Sequence, residues 1–390
     1  MIDELDLAGL GFADGAHLLV GRSLRRLPVG GRLVVRGRDP VLHIHLRAWC
    51  RANGHRLEEG DQLRVIRGGA DLARWSGAER AGSPIGVVAR PAAHWGLAAR
   101  GALVEAGGPA GPFDVVERDV VWADLAPRLY AHAAAAQWDP ETAVDWSAPV
   151  TLADDIESAV VQVMTYLVEN EQAALVIPAR LLSRVHPHFH EVQQLLAVQA
   201  ADEARHMQVF TRRALLRGGE MGTSSVGGRA SLSTLLYEAD FTLASFLLSV
   251  LGEGSFLTLL GFLDTHAPDP VTRAVTRLAR VDEARHVAFG VAHLEHQARL
   301  DPTLRGRLRA AVERRHDVLV DTAGLNADVF DSLVVLAAGS WDPVDIARGF
   351  RAVADMERAM DDGRQQRLTR LGFPPGEAAM LSALHTRNFM

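Results

Sequence analysis

The chain has 390 residues, 48% of them hydrophobic and 23% charged, and carries a net charge of −7. That balance belongs to a globular protein with a large core, and it gives no electrostatic footprint for nucleic acid or an anionic membrane surface. All 41 basic residues are arginine, which excludes lysine Schiff-base chemistry and a P-loop lysine. The lone cysteine, Cys50, excludes an internal disulfide, a cysteine-held iron–sulfur cluster and a Cys-rich zinc site.

The start of the chain, Met1-Ile2-Asp3-Glu4, is acidic where a signal peptide needs a basic region, so the expected location is cytoplasmic. Residues 1–80 read as a small α/β domain. Short apolar runs at Arg32–Val35 and Gln62–Ile66 predict strands, and apolar spacing predicts helices over 16–27 and 40–52. Residues 81–124, rich in Gly, Pro and Ala, read as a linker. From 125 to 390 the pattern is helical, which makes the fold class mainly α. Four principal helices are expected at 151–183, 190–217, 230–264 and 270–299, with two to four more towards residue 390. His186-Pro187-His188, Arg217-Gly218-Gly219 and Ala267-Pro268-Asp269-Pro270 separate the four, since proline and glycine stop helices for steric reasons. Pro178 is expected to kink the first helix or end it early. Phe241–Leu263 is apolar or small throughout except for Glu253. It is long enough to span a bilayer, but a carboxylate at mid-membrane is costly, so a helix buried inside a bundle is expected instead.

The pentapeptide Asp-Glu-Ala-Arg-His occurs twice, as Asp202–His206 and Asp282–His286. Glu at i and His at i+3 lie one turn apart on one helical face, so both can hold the same ion. Each copy has a glutamate upstream across a helical turn, Glu171 lying 32 residues before Glu203 of the first Glu-x-x-His and Glu253 lying 30 before Glu283 of the second. Pro187 is midway between Glu171 and Glu203, and residue 268 is midway between Glu253 and Glu283. In antiparallel hairpins each pair is then level, roughly 24 Å from its turn at 1.5 Å per residue. Glu171 is in line with Leu167 and Leu175, whereas Glu169 is rotated away from them and is expected at solvent. Four buried carboxylates repel one another; two divalent cations and two imidazoles resolve that, and such a ligand set suits Fe or Mn better than zinc.

On these motifs the region 125–300 resembles the ferritin-like superfamily of dimetal-carboxylate proteins, the non-heme diiron oxidases and oxygenases. The resemblance implies a four-helix bundle with Glu171, Glu203, His206, Glu253, Glu283 and His286 as metal ligands. It also implies that Asp202 and Asp282 hydrogen-bond the ligand histidines, with Arg205 and Arg285 holding those aspartates. Where reductase small subunits carry a radical tyrosine, four residues after the first Glu-x-x-His, this chain has Phe210, so that role is not expected. The extra histidine ligand of arylamine-type N-oxygenases would fall at Ala279 or Gln199 and is absent. His293 and the cluster His186, His188, His190 are read as packing and turn residues. Residues 5–78 resemble the small sulfur-carrier fold of the TusA/SirA type on Pro28-Val29-Gly30-Gly31, Asp39-Pro40 and Gly54-His55. The catalytic Cys-Pro-x-Pro of that family would fall at Ala13–Ala16 and is missing, so the domain is expected to dock or cover rather than to carry persulfide.

The expected activity is an O2-dependent diiron oxidase or oxygenase acting on a small organic substrate. Its cofactor is two Fe ions, with Mn/Fe as the other pairing, and O2 is co-substrate. Phe246, Leu247, Phe256, Phe210 and Phe289 are expected to line an apolar pocket. An external electron donor and a homodimer are compatible with this reading; nucleic acid and membrane are not. The alternatives are a ferroxidase or iron-handling protein, and a non-enzymatic metal-stabilised scaffold.

Overall fold

The structure, a computed structural model, describes residues 2–320 and 327–385. The chain forms two compact units, one from residues 1–85 and 94–111 and one from residues 86–93 and 112–390, so the stretch 81–124 is shared between units rather than standing apart as a linker.

In the first unit, β1 (Ile2–Asp6), α1 (Ala16–Arg25), β2 (Arg32–Arg36), α2 (Leu42–Ala52), β3 (Arg56–Glu58) and β4 (Leu63–Ile66) follow in turn. The strands form one sheet in the order β1-β2-β4-β3, with β1 parallel to β2 and the other pairs antiparallel. A parallel pair needs a crossover, and α1 provides it. Val20, Leu24, Leu33, Leu46 and Val65 fill the core with Cys50, whose thiol burial pushes up to about 12. Cys50 is therefore a packed residue and not a nucleophile at neutral pH. Two close-packed turns fix the sheet's end: Gly54 has φ +68°, and a Cβ on Gly68 would fall 1.7 Å from the Gly54 carbonyl oxygen. A short helix α3 (Ala70–Arg74) and the two-stranded β5 (Glu79–Arg80) and β6 (Leu103–Val104) complete the unit.

The second unit is helical. After α4 (Arg118–Val121) and α5 (Ala126–Ala135) come α6 (Asp154–Leu182) and α7 (His190–Ala214), joined by a tight turn at Pro187–Phe189. Asp154, Asp155 and Glu157 stand in the first turn of α6 and Arg212 and Arg213 in the last turn of α7, where each sign complements the helix dipole. Pro178 lies inside α6 and does not end it; the helix continues to Leu182. His186 caps the turn, accepting from His188 N at 3.1 Å, and His188 accepts from Val88 N at 3.1 Å, so the histidine cluster organises backbone.

The helix expected at 230–264 is two. α8 (Val226–Tyr237) ends before Asp240, whose carboxylate accepts from Leu243 N at 3.0 Å and starts a new helix. That helix runs over Phe241–His266 as α9 (Phe241–Ser245), a π-helical segment (Phe246–Glu253) and α10 (Gly254–His266). Its most apolar stretch is 83% buried within the protein, which accounts for its membrane-like composition. α11 (Pro270–Leu300) begins at Asp269, which caps Thr272 N at 2.8 Å, with Pro270 at the first helical position. Among the described residues α12 (Leu304–Leu319), α13 (Ala327–Ala338), α14 (Pro343–Arg370) and α15 (Pro375–His385) follow. Val329, Leu333, Val353 and Met356 of α13 and α14 join Val160, Val163 and Leu167 of α6 in one core cluster.

Candidate metal centre

α6, α7, the π-helical segment and α11 each send carboxylates to one buried point. Glu171, Glu203, His206 and Glu283 form one group of potential ligand atoms within 4.8 Å of one another, and Glu203, Glu253, Glu283 and His286 form a second. All six side chains chosen from the sequence thus come together, and Glu203 and Glu283 belong to both groups. Glu169 is half-buried and outside the cluster. Glu253 arrives as the last residue of the π-helical segment; such turns concentrate at functional sites.

Each imidazole points Nδ1 at carboxylates. His206 Nδ1 lies 3.1, 3.4 and 3.7 Å from oxygens of Glu203, Glu283 and Glu171, and His286 Nδ1 lies 3.0 and 3.3 Å from Glu203 and Glu283. The Nε2 atoms face outward to aspartates, but across motifs: His206 to Asp282 and His286 to Asp202, both at 3.2 Å. Each motif's aspartate therefore orients the other motif's histidine, which cross-links α7 and α11 beneath the centre. Arg205 donates to Asp202 and stands 3.5 Å from Asp282; Arg285 donates to Asp282 and reaches Asp202 at 3.4 Å.

Two further residues join this layer. Gln137 Nε2 donates to Asp202 at 3.1 Å and Trp138 Nε1 donates to Asp282 at 2.8 Å. The Trp138 ring lies nearly parallel to His206, 6.3 Å between ring centroids, and the Arg205 guanidinium carbon stands over the Trp138 ring, 5.1 Å from its centroid. Both follow α5, outside any repeat, and nothing in their spacing announced them. Gln199 donates to Glu253 Oε1 at 3.0 Å.

Five carboxylate oxygens (Glu171 Oε1, Glu203 Oε1, Glu253 Oε2, and both of Glu283) and His286 Nδ1 are buried without a well-formed hydrogen bond, although Glu203 Oε1 and His286 Nδ1 stand 3.0 Å apart as an ion pair. Burial, then the charges of Glu203 and Glu283, raise Glu171 well above the carboxylate range; burial and the Glu283 charge do the same to Glu253. For Asp202 and Asp282, burial works upward but the histidine hydrogen bonds overcome it and hold both below their usual range. Unsatisfied buried acceptors of one sign, facing one point, are what a pair of cations would satisfy.

A cavity of about 30 Å³ adjoins the Glu171, Glu253 and Glu283 side of the centre, walled by Ala173, Ala174, Leu232, Leu235, Leu248 and Phe256. Of the five residues expected to line a pocket, Phe256 lines this cavity and Leu247 lines a separate, more open one beside Tyr237 and Arg315. Phe246 and Phe289 pack in the core, and Phe210 sits against the His206 ring at 6.3 Å. Tyr166 is buried against Phe256 at 6.3 Å. His293 packs between Phe241 and Phe289, and burial pushes it down to about 4, as for a core histidine.

The helical unit is mainly α, with α6, α7, the helix over Phe241–His266 and α11 surrounding the centre. No protein-family model and no curated protein matches the chain. Among solved structures it is similar to a variant of an R2-like ligand-binding oxidase with aerobically reconstituted Mn/Fe cofactor, at 16% identity over 63% of this chain and 95% of that one, with a TM-score of 0.49. It is also similar to another variant with anaerobically reconstituted Mn/Fe cofactor, at 18% identity over 64% and 94%, with a TM-score of 0.49.

Proposed function

We propose that the protein is an oxidoreductase with a dimetal centre, two Fe ions or an Mn/Fe pair, that uses O2 to oxidise a small organic substrate. The observation that carries this is the convergence of four buried carboxylates and two imidazoles, with five carboxylate oxygens lacking a well-formed hydrogen bond. Glu171 and His206 would hold one ion and Glu253 and His286 the other, with Glu203 and Glu283 shared. Four carboxylates balance two divalent ions, and the soft cysteine ligands that favour other metals are missing from the set.

The bound pair would supply redox equivalents and a place for O2; the chain's own residues do the rest. Asp202 and Asp282 keep a proton on each Nε2 and so leave each Nδ1 free to ligate. The aliphatic wall of the cavity excludes water and suits an apolar part of a substrate, which favours an organic substrate over iron alone. A cavity of this size admits O2 or the tip of a substrate, so a larger substrate requires Leu232, Leu235 or Leu248 to move aside. An external electron donor completes the reading.

Metal analysis tests it directly. Chain stripped with chelator and reloaded anaerobically with Fe(II) should hold about two ions, and Glu253→Ala should lose at least one. The loaded protein should then consume O2, with repeated turnovers only when a reductant is supplied. Fewer than one ion per chain, or undiminished binding in Glu253→Ala, would end the proposal. Ferric iron released stoichiometrically, without need of reductant, would move it to the ferroxidase class.

A further inference from the structure

Glu253 reaches the centre from a backbone that is not α-helical, and the structure shows what holds that backbone in place. From α14, Arg367 lies against the residue that follows Glu253. Its Nε donates to the carbonyl of Val250, within the π-helical segment, at 2.7 Å. A Cβ on Gly254 would fall 2.5 Å from both Cζ and Nε of this arginine, and one on Gly363 would fall 3.1 Å from its Nη1. The guanidinium therefore lies beside two glycines, one on each helix: a Cβ at Gly254 would displace it, and one at Gly363 would press on its Nη1. One turn earlier on α14, Arg364 donates to Ser255 Oγ at 3.1 Å, and Ser255 donates to the Leu251 carbonyl at 2.8 Å. Residues 250–255, with Glu253 among them, are thus gripped at three points from one side.

We propose that Arg367 is a positioning residue for Glu253: by holding the Val250 carbonyl and lying on Gly254 it keeps the π-turn from relaxing, and so keeps the Glu253 carboxylate at the metal centre. This rests on the metal-centre reading above. A π-turn contains one residue more than the α-turn it replaces. Were it to relax, Glu253 would rotate relative to the helix beyond it by about 100°, one residue's share of an α-turn, and leave Glu283 and Glu203. Such turns are less stable than α-helix and persist where surroundings over-determine them. Arg367 makes no ion pair among the described residues, and its Nη2 has no hydrogen-bond partner although buried. A half-buried arginine with so little recompense needs a reason to be there, and among the described residues the carbonyl of the π-turn is the strong acceptor it finds. The packing is specific to Arg367: Gly254 and Gly363 both face it.

The test is a stepwise Co(II) titration of the full, metal-free chain, read by the visible cobalt spectrum and by competition with a chelator, with helix content checked by circular dichroism. Wild type should take two cobalt ions. Arg367→Gln should take one as wild type does and the other about tenfold or more weakly, with an altered spectrum, because displaced ligand supports typically cost 10–100-fold in affinity. Arg367→Lys, which can still donate to Val250, should recover most of the loss. Gly254→Ala, which leaves the arginine present but displaces it, should reproduce the loss, and it decides on the same readout if Arg367→Gln does not fold. Two ions bound with wild-type affinity and spectrum in Arg367→Gln or Gly254→Ala would overturn the proposal while leaving the metal centre intact. A wild-type chain that takes no cobalt would overturn both.

Discussion

The helical unit buries charge in two places, and the two are built on opposite principles. At the far end of the bundle Arg213 donates to both oxygens of Glu157, at 2.7 and 2.9 Å, to Asp269 at 2.8 Å and to Thr272 at 2.7 Å; Thr272 in turn donates to Asp269 at 2.6 Å. No side-chain atom of this knot is left without a partner. It ties the start of α6 and the end of α7 to the cap of α11 and asks for no ligand. At the centre the same three helices and the π-helical segment present carboxylates that face the two imidazole Nδ1 atoms and Gln199, with five oxygens left without a well-formed hydrogen bond. The first arrangement is a closed account of charges within the fold; the second is open by design, and what it leaves open is the signature of a binding site.

Mutation should separate them. Removing one partner from the knot strands the others, so Arg213→Met is expected to destabilise the metal-free chain by about 3–5 kcal/mol. Glu253→Gln relieves repulsion instead and keeps an oxygen that can accept from Gln199, at 3.0 Å in the present side chain. It should leave metal-free stability unchanged or raise it by about 1 kcal/mol, while lowering metal binding. Urea titrations of both variants after chelation check the pair. The comparison breaks if Glu253→Gln is destabilised as much as Arg213→Met.

A smaller effect tests the crossing of the two motifs. Asp282 neighbours Glu283 in sequence but holds His206 of the other motif. Asp282→Asn should weaken metal binding about 10–100-fold. In double-mutant cycles on metal affinity it should couple to His206→Ala by about 1 kcal/mol or more and be additive with His286→Ala. The reverse pattern would mean that each motif serves its own histidine.

The six candidate ligands were legible because Glu-x-x-His is a local code: one turn of helix fixes which side chains share a face, and the duplication supplied the symmetry that placed Glu171 and Glu253. Long-range pairings have no such code. Asp202 could as well have held either imidazole, and Gln137 and Trp138 reach the centre only because the chain after α5 passes beneath it. The π-turn was hidden for another reason. Residues 246–253 are all buried, so no alternation of polar and apolar positions records the phase of the helix there. The same lack of phase merged α8 with α9, where only the cap at Asp240 marks the break, and it spoiled the pocket lining: a run of buried phenylalanines and leucines does not say which face meets a cavity. Arg213, Glu157 and Asp269 were invisible as a set because 56 residues separate Arg213 from each of the other two.

The smallest effect concerns pH and bears on the closed site alone. Burial works against the Asp269 carboxylate, but hydrogen bonds from Arg213 and Thr272 overcome it and hold its pKa below the usual value. A group whose pKa is depressed on folding contributes stability above its unfolded pKa, about 3.9 for aspartate, and loses that contribution as pH falls through the folded value. Asparagine at 269 can still cap Thr272 N, so Asp269→Asn removes the charge and spares the helix start. The stability gap between wild type and Asp269→Asn should therefore be constant from about pH 5 to 8 and close as pH drops below about 4. Denaturant midpoints measured on chelated protein across that range would show it. A gap that widened towards acid would mean that the Asp269 charge costs more than its three donors return, and the knot would then be no more self-sufficient than the centre it is compared with.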